Sequence, residues 1–301
     1  MEETSVTPFG VLNINKPGGM TSRRVVDRVA KIVRPVKAGH AGTLDPLATG
    51  VLVVCVGAAT RLMSRVQEQP KRYQARFVLG KRSNTDDIEG DVVDVPHATH
   101  ITRELVNELL PKFTGTIAQV PPQFSAVHID GHRAYKLARR GEHVEIKPRC
   151  VDVFRIVLTR FEFPELELDI ECGSGTYIRA IGRDLGNELG CGAVMTSLVR
   201  ARVGPYRLES AAALDQVTSE TLDDIILPPT SIIPDLARYT CTADEIEYVR
   251  RGRSIDLDES LAVGREDAVA LLTPTGELAS LAEYDPPTRR LLPKQVFLSQ
   301  V

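Results

Sequence analysis

The sequence lacks paired cysteines, long apolar runs and glycine-rich nucleotide-binding motifs. Its five cysteines are scattered over the 301 residues without a C-x-x-C pair, which argues against a disulfide framework and a structural zinc site. No apolar run approaches the roughly 18 residues that a membrane-spanning helix needs. The acidic, polar first residues do not resemble a secretory signal. These absences predict a cytoplasmic protein that works away from membranes and holds neither a metal nor a nucleotide cofactor.

Charge is unevenly distributed along the chain, although the net charge is only −3. Residues 16–40 contain seven Lys or Arg against one acid, and residues 61–82 contain the same numbers. Residues 215–285, in contrast, contain 16 acids and 5 bases. A phosphate-binding face needs local positive charge, so the two basic segments are compatible with a nucleic-acid partner. Solvated surfaces commonly produce the same pattern, and charge alone therefore supports this interpretation only weakly.

A glycine-rich segment at residues 39–52 contains a single carboxylate, Asp45. The segment reads Gly-His-Ala-Gly-Thr-Leu-Asp-Pro-Leu-Ala-Thr-Gly-Val-Leu. Pro46 disfavours helical geometry at Asp45, and the three glycines permit tight turns and close approach to a ligand. The β-branched run that follows, residues 51–56, is typical of a buried strand. An isolated Asp-Pro usually marks an ordinary turn, but the length of this pattern favours an acid held on a stiff loop against the core.

Apolar periodicity predicts a chain in which strands and helices are mixed. Predicted helices run from Thr21 or Ser22 to about Val33, from Thr102 through Leu110, and from Thr176 onward. Predicted strands cover residues 10–15, 51–56, 71–79, 91–95 and 165–172, and a hairpin covers 268–283. The strand at 165–172 alternates between apolar and acidic residues, so we expect its acidic face to be solvated.

The block around Asp45 resembles the catalytic motif of the TruB family, the bacterial tRNA pseudouridine synthases that isomerise uridine 55 in the T-loop. Two further segments resemble this family in the expected order. Residues 16–22 fit Lys-Pro-x-Gly-x-Thr-Ser, and residues 175–179 match Gly-Thr-Tyr-Ile-Arg. The turn at residues 83–87, Ser-Asn-Thr-Asp-Asp, departs mildly from the Thr-Asp-Thr-x-Asp of the family, so no role is assigned to its side chains. The resemblance covers about residues 10–210.

This resemblance implies an α+β fold with a mixed, largely antiparallel sheet and flanking helices. Residues 1–230 are expected to form the pseudouridine synthase catalytic domain, and residues 231–301 a small β-rich, PUA-like RNA-binding domain. Within the first, we expect an insertion at about 96–150, and its part from Pro121 to about Cys150 is basic and carries Phe124 and Tyr135. The resemblance makes it a segment that clasps RNA, and an ordinary hairpin with a short helix explains it equally well.

The resemblance also implies three catalytic residues. Asp45 takes the place of the essential carboxylate of the family. Arg179 takes the place of the arginine that pairs with it, which explains a cation in the first turn of a helix, where the helix dipole disfavours positive charge. Tyr73 takes the place of the tyrosine that stacks on the target base, and its hydroxyl is a candidate for handling the proton released from the ring carbon.

Three further residues are implied to bind the substrate. Tyr177 resembles a second tyrosine that lines the pocket. His40 resembles the histidine that occupies the space vacated by the flipped base, a role in RNA binding and not in acid–base chemistry. Lys16 has two alternative roles: it contacts the same region of RNA, or it supports the Asp45 loop.

The predicted function is that of a stand-alone enzyme converting the T-loop uridine of tRNA to pseudouridine. The reaction cleaves the N-glycosidic bond, rotates the uracil and rejoins it through carbon, so it requires no redox cofactor, no ATP and no metal. We expect a monomer that needs tRNA and no protein partner. Two alternatives remain: a guide-RNA-dependent pseudouridine synthase, and a non-catalytic tRNA-binding protein or folding chaperone.

Overall fold

The computed structural model describes residues 8–96, 100–125, 128–129, 132–133, 146–257 and 268–298. Within these residues the strands form a ten-stranded sheet, a five-stranded sheet and two short hairpins. No helix in the described part of the chain is long and apolar enough to cross a membrane. The RNA-clasping segment predicted at about 96–150 is only partly described, and Tyr135 lies outside the described residues.

Fourteen described strands precede those of the second sheet, and the longest of them belong to the main sheet. They are β1 Gly10–Lys16, β2 Ala38–His40, β3 Thr49–Val56, β4 Lys71–Leu79, β5 Lys81–Ser83, β6 Val92–Asp94, β7 Gly115–Gln119, β8 His128–Ile129, β9 His132–Arg133, β10 Arg149–Glu162, β11 Glu165–Cys172, β12 Ala193–Val203, β13 Tyr206–Arg207 and β14 Ala212–Ala213. The main sheet has the order β14-β1-β3-β12-β4-β11-β10-β7, with β2 paired to β3 and β13 to β12. Only the β1–β14 and β3–β12 pairs in it are parallel, which confirms the predicted mixed, largely antiparallel sheet.

The helices begin close to the predicted capping residues. They are α1 Ser22–Ile32, α2 Met63–Glu68, α3 Arg103–Leu109, α4 Ile178–Glu188, α5 Leu222–Ile225 and α6 Ala243–Arg250. Thr21 and Thr102 each accept a hydrogen bond from a backbone N–H three residues on, which confirms both as N-caps. The helix expected from Thr176 starts two residues later, with Tyr177 as its N-cap residue.

Two long strands of the main sheet, β10 and β12, escaped the sequence prediction. β12 lies between β3 and β4 at the centre of the sheet, and yet its sequence carries buried Arg200 among apolar residues. A buried charge interrupts the apolar run on which strand recognition depends. The pattern also failed on the acidic face of β11, where Asp169 is only 5% exposed because Arg72 covers it, with Nη2 donating to Oδ2 at 2.8 Å.

The second sheet confirms the predicted C-terminal hairpin and packs against the first. Its strands are β15 Ala237–Thr240, β16 Ile255–Asp256, β17 Val269–Leu272, β18 Leu278–Asp285 and β19 Arg290–Val296, in the order β15-β17-β18-β19-β16. Phe297 stacks on Phe9 with ring centroids 5.6 Å apart, and the Arg61 guanidinium lies 4.5 Å from the Phe297 centroid. Apolar side chains of β3 and β17 belong to one buried cluster, so the two sheets share a core. The domain boundary at residue 230 stays a prediction.

Candidate active site

The loop that carries Asp45 connects β2 to β3 and is held by a buried serine. Ser22, the first residue of α1, accepts a hydrogen bond from the Leu44 backbone N–H at 2.8 Å and donates one to the Leu44 carbonyl at 3.1 Å. Ser22 is only 2% exposed. One side chain therefore satisfies both backbone groups of Leu44, the residue before Asp45. This fixes the backbone position from which the Asp45 side chain extends.

We expect Ser22→Ala to loosen this loop. The substitution leaves two buried backbone groups of Leu44 without their partner, which costs about 1–3 kcal/mol of unfolding free energy per unsatisfied group. A displaced Asp45 should also slow catalysis by up to about 100-fold, since misplacement by 1 Å has that effect. Thr21→Ala is the matched control, because it removes only a helix cap. Urea denaturation and single-turnover rates measure both effects, and a normal rate in Ser22→Ala would contradict the role of Ser22.

Two buried cations bind the backbone of the same loop, one before and one after Asp45. Lys16 is fully buried, and its Nζ donates to the Pro46 carbonyl at 3.2 Å and to the Pro17 carbonyl at 2.9 Å. Arg200 donates from Nη2 to the Gly42 carbonyl at 3.1 Å. Burial lowers the pKa of Lys16 to about 8, although the charge of Asp45 acts in the opposite direction. Of the two roles predicted for Lys16, its burial favours support of the loop over contact with RNA.

Arg179 lies between two carboxylates. Its Nε is 3.0 Å from Asp45 Oδ2, and its Nη2 donates to Asp45 Oδ1 at 3.2 Å. Its Nη1 lies 3.2 Å from Asp87 Oδ2 and also donates to the Thr85 carbonyl at 2.7 Å. A further hydrogen bond from Nη2 to the Phe124 carbonyl measures 3.1 Å. The predicted ion pair between Arg179 and Asp45 is thus present, and Asp87 is an additional member.

Burial and charge act on Asp45 in opposite directions. Burial raises the pKa of its carboxyl group above the usual value, and the adjacent Arg179 guanidinium is the strongest influence that lowers it. The Arg179 side chain is 6% exposed and that of Asp87 3%, whereas that of Asp45 is 32% exposed. Of the two carboxylates that share the arginine, Asp45 is therefore the one that a bound molecule can reach.

Two tyrosines lie close to this ion pair. Tyr73, in β4, is 8% exposed, and burial raises the pKa of its hydroxyl. Tyr177 is clamped by Gln119, which accepts from its backbone N–H at 2.8 Å and donates to its carbonyl at 3.0 Å. The Arg149 guanidinium lies 4.8 Å from the centroid of the Tyr177 ring and donates to the Gly175 carbonyl. The backbone before α4 is thereby fixed on both sides of Tyr177.

The structure brings four of the six predicted site residues to one open cavity of about 390 Å³. The lining includes Asp45, Tyr73, Tyr177 and Arg179, together with the cations Lys71 and Arg200. This volume falls within the range of about 300–1,000 Å³ that is common for ligand pockets. His40 and Lys16 are absent from the described lining. His40 lies in β2, and burial, followed by the charge of Arg200, lowers its pKa.

Sequence reasoning missed Asp87 and Arg200. Asp87 lies in the turn that departs from the family pattern, but the departure concerns Ser83 and Asn84. Thr85 and Asp87 match the third and fifth positions of that pattern, so the sequence already indicated Asp87 as a candidate site residue. Arg200 gave no comparable signal, because a lone arginine in a strand is usually exposed. Among the described residues no group of three or more His, Cys, Asp or Glu is arranged to hold a metal ion.

Two family models match adjoining parts of the chain. The model described as TruB family pseudouridylate synthase (N terminal domain) matches residues 30–178. The model described as tRNA pseudouridylate synthase B C-terminal domain matches residues 179–234. Asp45 and Tyr73 lie in the first match, and Arg179 is the first residue of the second.

Full-length relatives and solved structures agree with these matches. A tRNA pseudouridine synthase B from Gloeothece citriformis is 38% identical, covering 98% of this chain and 99% of the relative. One from Thermobifida fusca is 41% identical, covering 91% and 94%. A chain of a Cbf5-Nop10-Gar1 complex has a TM-score of 0.70 at 26% identity, covering 96% of this chain and 85% of its own. A chain of an H/ACA RNP bound to a substrate RNA containing 2'-deoxyuridine has the same TM-score at 24% identity, covering 97% of this chain and 86% of its own. At this low identity the match shows a similarity of fold alone.

Proposed function

The chain belongs to the TruB family of pseudouridylate synthases, and from this membership we propose that it isomerises uridine 55 in the T-loop of tRNA to pseudouridine. It is a tRNA pseudouridine synthase, and therefore an isomerase.

The observation that carries the proposal is the accessible carboxylate of Asp45, paired with buried Arg179 at the wall of an open cavity. Breaking and remaking a bond at the sugar requires a charged group at a defined position. Arg179 opposes the effect of burial on the pKa of Asp45, which favours the ionised carboxylate. Asp45 then acts beside the sugar and base of the target nucleotide, while Arg179 orients it without touching the substrate.

The two tyrosines account for the binding of an extracted base. Flipping a nucleotide out of its stack costs a few kcal/mol, and stacking on an aromatic side chain contributes about 1–3 kcal/mol per base. Tyr73 supplies the stacking ring, and Tyr177 is a second aromatic side chain in the lining of the same cavity. Two such contacts are enough to offset extraction from a loop. In this scheme the Tyr73 hydroxyl is also the group placed to handle the proton that leaves the ring carbon.

His40 is proposed to bind RNA outside the cavity, in the space that the flipped base leaves. It is half-buried at the end of β2, directly before the loop of Asp45, and its Nδ1 has no hydrogen-bond partner in the described structure. Lys16 is proposed to act only by holding the loop. The five-stranded sheet is proposed to extend the RNA-binding surface as a PUA-like domain.

The experiment incubates the purified chain with an unmodified T-arm RNA and measures pseudouridine at each uridine. We expect product at position 55 without added guide RNA, nucleotide, metal or partner protein. A T-arm RNA with cytidine at that position is the matched control and should yield no product. Formation of pseudouridine only after addition of a guide RNA would reject the stand-alone enzyme. Tight binding without any product would favour the non-catalytic alternative.

A further inference from the structure

Arg200 occupies the centre of the main sheet, between the Asp45 loop and Tyr73. In β12 it is paired with Gly50 of β3 on one side and with Tyr73 of β4 on the other. Gly50 has a φ of +97°, and a Cβ there would lie 2.3 Å from the Arg200 carbonyl oxygen. Only glycine therefore lets the strand of Arg200 approach the strand that follows the loop. Arg200 itself is 2% exposed.

The guanidinium of Arg200 is bound to the two ends of the catalytic loop. Nη2 donates to the Gly42 carbonyl at 3.1 Å, Nη1 to the Thr43 carbonyl at 3.4 Å, and Nε to the Val51 carbonyl at 2.7 Å. Gly42 and Thr43 precede Asp45, and Val51 follows it in β3. One planar group thus joins both sides of the loop, which a flexible point charge such as Lys cannot do.

Arg200 has no counter-ion among the residues that the structure describes. No carboxylate in the described ranges lies within ion-pairing distance of it, unlike Arg179 and Arg202, each of which pairs with an acid. Burying a charge without a paired charge is costly, and its hydrogen bonds to carbonyl oxygens recover only part of that cost. A hydrophobic residue would fill this position in the sheet more favourably, so the charge has a use beyond packing.

A further neighbour of Arg200 is Tyr73, its register partner in β4. The charge of Arg200 opposes the rise in the pKa of Tyr73 that burial causes. Both side chains line the cavity that contains Asp45. Arg200 therefore binds the backbone on both sides of the catalytic loop and lies beside Tyr73 at the wall of the same cavity.

We propose that Arg200 is a positioning residue that holds the Asp45 loop in a fixed position relative to Tyr73. The proposal rests on the proposed function, because it deepens the account of the same site. All three nitrogens of Arg200 donate to backbone carbonyl oxygens, so Arg200 acts through these groups and not by contact with the substrate. It acts by keeping the carboxylate and the phenol at the separation that one nucleotide needs.

The test compares Arg200→Lys with Arg202→Lys in single-turnover assays at saturating T-arm RNA. Arg202 lies two residues further along β12 and pairs with Glu171 away from the cavity, so it is the matched control for an Arg-to-Lys change in this strand. Arg200→Lys keeps the charge and loses the planar fork. We expect its rate to fall by about 100-fold with unchanged RNA affinity. The buried carbonyl oxygens that lose their donor should also make it less stable than the control.

Coupling to Tyr73 gives a second readout that a purely structural role would not produce. In a Tyr73→Phe background the hydroxyl whose position relative to Asp45 depends on Arg200 is absent. Adding Arg200→Lys should therefore cost much less rate than it costs in the wild type. Fully additive rate losses would overturn the link to Tyr73. A normal single-turnover rate in Arg200→Lys, with only RNA affinity or stability reduced, would overturn the proposal as a whole.

The remaining outcomes are also decisive. If Arg200→Lys does not fold, Arg200→Gln retains an amide donor without the charge and takes its place. Failure of both variants to fold, while Arg202→Lys folds, would assign Arg200 to the fold and overturn the proposal. Absence of product from the wild-type protein would instead reject the proposed function, and the two failures are therefore distinguishable.

Discussion

Asp45→Asn is expected to eliminate pseudouridine formation while RNA binding persists. Asparagine has the same shape as aspartate and keeps an oxygen that accepts from Arg179, but it carries no charge and cannot act as a base or nucleophile. Loss of a positioned acid–base group costs about 10²–10⁴-fold in rate, and loss of the charge adds to this. Single-turnover product formation and equilibrium binding to T-arm RNA measure the two quantities separately.

The control for this substitution is Asp94→Asn. Asp94 is an exposed carboxylate in β6 that pairs with Lys81, so its charge is removed far from the cavity. Asp45→Asn should also fold, because Arg179 retains Asp87 as a partner after the change. Complete loss of RNA binding in Asp45→Asn would mean that Asp45 supports the architecture of the loop and not the chemistry.

Arg179→Met is expected to destabilise the protein far more than Asp45→Asn does. Removing the arginine leaves buried Asp87 and partly buried Asp45 side by side without their common cation. Breaking a buried ion pair in this way costs about 3–5 kcal/mol of unfolding free energy. Arg183→Met, one turn further along α4, is the matched control: Arg183 pairs with Asp86 but its side chain is 24% exposed, so its loss should cost less. Equal losses in urea denaturation would contradict the central position of Arg179.

Arg179→Met is also expected to change the pH dependence of the residual activity. Arg179 is the main group that opposes the rise in the pKa of Asp45 caused by burial. Without it the pKa of Asp45 rises further, so on acidification the carboxylate is protonated at a higher pH than in the wild type. The acid limb of the rate profile should therefore move to higher pH in Arg179→Met. An unmoved acid limb would show that Asp45 is not the group whose ionisation the rate reports.

The predictions from local sequence were confirmed where a few neighbouring residues decide the structure. Thr21 and Thr102 cap helices because a hydroxyl reaches the backbone N–H three residues on. Strands β1, β3, β4 and β11 were predicted correctly because the pattern of apolar residues within each short segment is sufficient to indicate a strand. The observed ends of these elements differ from the predicted ends by one or two residues. Helix α4, for example, begins at Ile178 and not at Thr176, because Gln119 of β7 binds the backbone of Tyr177.

The predictions were incomplete where a charge is buried. Apolar periodicity treats Lys16, Asp169 and Arg200 as surface residues, but all three are buried because each finds polar partners on other strands or loops. Asp87 was set aside because its turn departs from the family pattern. Its carboxylate nevertheless reaches Arg179, which is 92 residues distant in sequence. Such partners are invisible to a local pattern.

The sequence by itself determined the family, the loop that carries Asp45 and the pairing of that acid with Arg179, because long motifs are specific and the family assigns their roles. Only the tertiary structure decided how the loop is held. Arg200 reaches Gly42 across 158 residues, and this contact exists because β12 lies between β3 and β4 in the sheet. Strand order is set by the packing of the whole chain. It brings buried Lys16 and Arg200 into contact with the backbone of the loop, and local sequence patterns do not predict such contacts.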